Sequence, residues 1–171
     1  MIKKQYVALF FFVLFLSACS INIGTTDEIV SYNGKNLDIA IVGNKDFPRM
    51  SNITFEKISL IELYRTNKQY DGVIITKSEF DEADKESYEE FFQKVEYPVF
   101  FYGADDFKVF AFHIEDMTIE DATYKDSAYV QGFQNTEDKN PKYWEFFLDD
   151  EELDDQEMLT RMFTKVYSPQ G

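Results

Sequence analysis

The sequence is poor in the residues that most often carry chemistry. Among 171 residues there is one cysteine and one histidine. A single Cys excludes a disulfide framework and any multi-cysteine metal site. A single His excludes two-histidine metal motifs such as H-E-x-x-H. Glycine (7) and proline (4) are also scarce, which leaves no collagen-like repeat. Basic residues are few: 17 Lys and Arg stand against 32 Asp and Glu, a formal net charge of −15. Nucleic-acid binding needs a cationic face, so that balance excludes a general nucleic-acid partner. What the chain has in quantity is apolar material, 44% hydrophobic and 18% aromatic. That is enough for a packed core and far from the composition of a disordered acidic tail.

The first residues have a pattern of their own. Lys3 and Lys4 precede an unbroken apolar run from Tyr6 to Leu16, eleven residues long. A spanning helix needs about 20. A charged start followed by a short apolar stretch and small residues is the pattern of a secretory signal. The run ends Leu16-Ser17-Ala18-Cys19. This resembles the lipobox of bacterial lipoproteins at every position. The resemblance implies cleavage before Cys19 and attachment of diacylglycerol to its sulfur. It places residues 1–18 in a signal peptide and the mature chain on the extracytoplasmic face of the cell membrane. Two acyl chains provide the hold that one alone lacks. Removing residues 1–18 takes away two lysines and no acid, so the basic residues fall from 17 to 15 and the charge moves from −15 to −17.

Residues 19–36 are polar and turn-rich and are expected to form a flexible tether after the lipidated Cys19. Residues 37–167 are expected to form one α/β domain, with 168–171 as a tail. Leu37–Gly43, Val73–Thr76 and Val99–Gly103 are short, continuously apolar runs that read as buried strands. Between them, Thr54–Arg65 reads as a helix, and so does the stretch from Ser78 to Val95. Ser78 and Asp81 have capping-box spacing, and Phe80, Ala83, Tyr88, Phe91 and Phe92 recur at helical spacing. Strands buried on both faces and joined through helices imply a parallel β-α-β-α-β core in a three-layer sandwich. Lys108–Ile114, Ala128–Gln134 and Lys142–Leu148 read as mostly antiparallel extensions of the sheet or a small meander beside it, and Asp150–Val166 as a closing helix.

The segment Tyr70-Asp71-Gly72-Val73-Ile74-Ile75, followed by Tyr97-Pro98-Val99-Phe100-Phe101-Tyr102-Gly103, is similar to phrases in one lobe of type I periplasmic binding proteins. Those proteins hold sugars between two lobes. This chain has length for one, so neither the cleft nor its ligand contacts carry over.

In open parallel sheets ligands bind beyond the C-terminal strand ends. Here those ends supply Asn44, Lys45, Thr76, Lys77 and Asp105, a polar set beside glycines that permit close approach. Two lysines in so acidic a chain could select an anionic group, although glycines also end strands simply because turns need them. Asn44-Lys45-Asp46 lacks the spacing of the guanine-specificity motif of GTPases, and no phosphate loop accompanies it. His113 lies in an apolar stretch with no nucleophile motif nearby. The acidic run Asp149–Asp155 has Leu153 and Asp154 where a calcium loop needs a ligand and a glycine, so it reads as a solvated helix start. Around Trp144, alternation puts Trp144, Phe146 and Leu148 on one strand face and Tyr143, Glu145 and Phe147 on the other. One face must be core. The other is either covered by a helix or exposed for recognition.

These features imply a membrane-tethered binding or accessory module without cofactor, metal or catalytic residues. Its expected contacts are the membrane through Cys19 and a cell-surface protein or small ligand. The alternative is a surface-tethered hydrolase working through carboxylates.

Overall fold

The computed structural model of the chain describes residues 31–104, 106–112, 114, 116–138, 140–148 and 154–167. The expected signal peptide, Cys19, Asp105, His113, most of the 149–155 acidic run and the 168–171 tail lie outside the described residues.

Six strands form one sheet: β1 Leu37–Val42, β2 Ile53–Lys57, β3 Gly72–Thr76, β4 Val99–Tyr102, β5 Val130–Gln134 and β6 Lys142–Phe146. Their order is β2-β1-β3-β4-β5-β6. The first four are mutually parallel, and β5 and β6 extend the sheet antiparallel. The helices are α1 Leu60–Arg65, α2 Phe80–Ala83, α3 Glu86–Lys94 and α4 Asp155–Tyr167. The architecture is α/β, with a parallel core, antiparallel extension and C-terminal helix.

β3 and β4 are buried at every residue, and β1 at all but Asp38. Layers on both faces leave no strand position for water, hence the continuous apolar runs. On one face Val42, Val73, Ile75 and Phe101 meet Leu63, Phe80 and Phe92 from α1, α2 and α3. On the other, Ile39, Ile74, Phe100 and Tyr102 meet Met158, Leu159, Met162 and Phe163 of α4. Burial of each of those α4 side chains contributes about 1.5–3 kcal/mol, so tertiary packing rather than intrinsic propensity holds the helix.

Several elements differ from the sequence expectation. Thr54–Arg65 is a strand and a helix, not one helix. β2 is an edge strand, half exposed along its length, and its Thr54-Phe55-Glu56 alternation suits a strand with one wet face. α1 then starts on a true capping box: Ser59 Oγ accepts from the Glu62 amide, and the Glu62 carboxylate accepts from the Ser59 amide. Segment 78–95 breaks at Asp84-Lys85 into α2 and α3, and Ser78 caps neither. The described residues of the expected strand Lys108–Ile114 do not join the sheet. Val109–Phe112 is a short 3₁₀ turn, because the buried Gln131 takes its backbone. Gln131 Oε1 accepts from the Val109 amide at 3.1 Å, while Nε2 donates to the carbonyls of Ala104 and Phe107 at 2.7 and 2.6 Å. Nor is the expected tether all outside the fold. Tyr32 is 2% exposed and packs edge to face on Phe163, so the folded body begins before Leu37.

The β1–β2 connection, residues 43–52, makes a parallel crossover without a helix. Its Phe47 and Met50 pack into the α4-side cluster, so coil serves as the covering layer over that part of the sheet.

Candidate functional site

The order β2-β1-β3-β4 places a topological switch between β1 and β3. The chain leaves β1 toward one side and β3 toward the other, which opens a crevice beyond their C-terminal ends. A cavity of ≈ 350 Å³ lies there, lined by Asn44, Lys45, Thr76, Lys77, Ser78, Tyr102, Gly103 and Tyr129. Four of the five residues expected from the strand ends therefore share one wall. The fifth, Asp105, lies outside the described residues.

Backbone geometry brings these ends together. Gly43 and Gly103 have φ of 117° and 90°, values that favour glycine. The Thr76 hydroxyl donates to the Val42 carbonyl at 3.3 Å and lies 3.2 Å from the Ser78 hydroxyl, which in turn accepts from the Asn44 amide at 3.4 Å. The β1 and β3 exits are thus cross-linked by short polar side chains. On the β4 side the Gly103 and Ala104 amides both donate to the Tyr129 carbonyl, at 2.9 and 2.8 Å, and Tyr129 meets Tyr102 edge to face.

The lysines differ in their surroundings. Lys45 Nζ lies 2.8 Å from Asp155 Oδ2, above the faces of Phe47 and Tyr102. Asp155 Oδ1 accepts the Tyr102 hydroxyl at 2.7 Å. Burial first, and then the Asp155 carboxylate, push the Tyr102 hydroxyl far above its ordinary range, so it remains a protonated donor at any physiological pH. Lys77 is more exposed, with Asp106 at 3.6 Å. Asp46, next to Lys45 in sequence, pairs with Lys57 at 2.6 Å.

Sequence reasoning misses Ser78, Tyr102, Tyr129 and Asp155 as parts of this place. Tyr102 ends β4 beside Gly103, so the strand-end rule reaches it. Asp155 comes from the start of α4, and nothing near Lys45 in the chain announces it.

Two other concavities are relevant. A groove of ≈ 620 Å³ runs between edge strand β6 and α4, walled by Trp144, Phe146, Thr160 and Arg161 among others. Trp144 leans across Gly132 onto Phe100, with ring centroids 6.0 Å apart; a Cβ on Gly132 would stand 2.5 Å from that Phe100 ring. The Trp144/Phe146 face of β6 is thus the core side, while Tyr143 is exposed. A third cavity, ≈ 260 Å³, lies at the α2–α3 break and includes Asp84, whose carboxylate accepts the Ile119 amide at 3.0 Å. Burial holds the Asp84 carboxyl above its usual range, against the Ile119 bond and with help from Asp81, Asp121 and Glu120.

Among the described residues no group of three or more His, Cys, Asp or Glu is placed to hold a metal ion, and no helix is long and apolar enough to cross a membrane. The chain matches no known protein family, no curated protein and no solved structure.

Proposed function

We propose that the protein is a bacterial lipoprotein, anchored through Cys19 on the extracytoplasmic face of the cell membrane, whose α/β domain is a non-catalytic binding module. The anchor rests on the charged start, the short apolar run and Leu16-Ser17-Ala18-Cys19. The observation that carries the binding reading is the crevice at the switch point, where Asn44, Lys45, Thr76 and Lys77 converge on ≈ 350 Å³. Lys45 and Lys77, beside Asp155 and Asp106 in the structure, are the cations that an anionic ligand group would engage there.

A tethered hydrolase would draw instead on a carboxyl whose proton affinity is raised. Burial raises that of Asp84, but it sits in a different cavity with its oxygens turned to the Ile119 amide.

The test is retention of small molecules from a membrane extract, identified by mass spectrometry. The unchanged protein retains an anionic compound. The double variant Lys45→Ala, Lys77→Ala keeps its circular dichroism spectrum and loses that compound. Retention unaffected by the double change but abolished by Trp144→Ala would move the working site to the β6 groove.

A further inference from the structure

The strand-end crevice already contains the chemistry of a bound carboxylate, supplied by the protein itself. Asp155 bridges Lys45 Nζ and the Tyr102 hydroxyl with one oxygen each, at 2.8 and 2.7 Å. Both donors belong to residues that line the crevice. Tyr102 is 2% exposed, so its hydroxyl has little access to water and depends on that acceptor. The Lys45 side chain is 31% exposed and the Asp155 side chain 24%, so the pair is sheltered but open at one side. Asp155 is also the first residue of α4. Asp154, just before it, caps the helix by accepting the Gln156 and Glu157 amides at 2.8 and 3.2 Å. The capping of α4 therefore does not need Asp155, whose carboxylate points away to the sheet.

We propose that Asp155 is an internal stand-in for the carboxylate of a small external ligand, and that ligand binding displaces it from Lys45 and Tyr102. This rests on the crevice being the binding site and adds to it the ligand class and a built-in competitor. A planar two-oxygen group satisfies both donors at once. An intramolecular carboxylate competes without the entropy cost of association, so an external one must match it in affinity or bring further contacts, for which Thr76, Lys77 and Tyr129 also line the crevice. Displacement also unfastens the first turn of α4 from the sheet, which gives the bound state a different surface at that end of the molecule.

The experiment is chemical rescue, with acetate as the probe and the full chain held in mild detergent. Thermal unfolding is followed in acetate and in chloride at matched ionic strength. The wild-type transition shifts equally in the two salts. In Asp155→Ala the transition is lower in chloride and rises in acetate, with an apparent affinity at least tenfold tighter than any acetate effect on wild type. Adding Lys45→Ala removes the rescue. If Asp155→Ala does not fold, Asp155→Ser, whose short side chain suits a helix start and leaves the carboxylate's position open, takes its place with the same expectation. Equal responses to acetate and chloride in the variant, or none, overturn the proposal. Should wild type still retain an anionic compound through Lys45 and Lys77 while the variant ignores acetate, the stand-in role fails and the crevice reading survives.

Discussion

A Cβ added at Gly43 would lie 2.0 Å from the Thr76 hydroxyl oxygen. That approach brings the exits of β1 and β3 together at the mouth of the crevice, and only a residue without a side chain permits it. Gly43→Ala carries two separable penalties. Forcing an L-residue to φ of 117° costs on the order of 1–3 kcal/mol, and the contact with Thr76 adds to this. Urea unfolding should show a loss of at least that size. In a Thr76→Ala background the contact component disappears while the backbone component stays, so Gly43→Ala should cost less there. Equal cost in both backgrounds would mean that the side-chain approach carries no energy.

Asp84 gives a pH dependence of known sign. Its folded-state pKa is raised, chiefly by burial, so the fold disfavours the ionised form. That cost is fully present above the folded pKa. It is relieved as pH falls through that value and is gone below the unfolded one, about 3.9. Asp84→Asn keeps an oxygen to accept the Ile119 amide and never ionises. It should therefore be more stable than wild type at pH 7, with the advantage shrinking as the medium is acidified. A variant less stable at neutral pH, by chemical denaturation across pH 4–7, would contradict the assignment.

Cys19→Ser tests the anchor directly. In the producing bacterium the variant should remain unprocessed and take up no labelled lipid, while wild type appears as a shorter, lipid-labelled species in the membrane fraction. Mature-sized Cys19→Ser protein in that fraction would refute lipidation at this residue.

The parts of the fold visible in the sequence are those that solvent never touches. β3 and β4 are packed on both sides, so Val73–Thr76 and Val99–Tyr102 stand out as unbroken apolar runs. β2 is hidden by its edge position: its alternating Thr54, Phe55 and Glu56 merge into the apolar residues of α1. The separating signal is Ser59-Leu60-Ile61-Glu62, a capping box that marks where the helix begins. Val109–Phe112 has the composition of a strand, but Gln131 draws its backbone into a turn, a tertiary decision that no local pattern records. The crevice divides in the same way. Asn44, Lys45, Thr76 and Lys77 follow from strand ends alone. Asp155 depends on how α4 lies across the finished sheet.

The helix-free crossover from β1 to β2 affects how the chain can be assembled. With only coil over the early strands, Ile39 and Ile74 lack their main cover on that side until α4 arrives. α4 is the last described element, and its Phe163 closes against Tyr32 while its Tyr167 hydroxyl donates to the Asp71 carbonyl at 2.7 Å. A polypeptide emerging amino end first therefore cannot complete this layer before Met158, Leu159, Met162 and Phe163 have emerged.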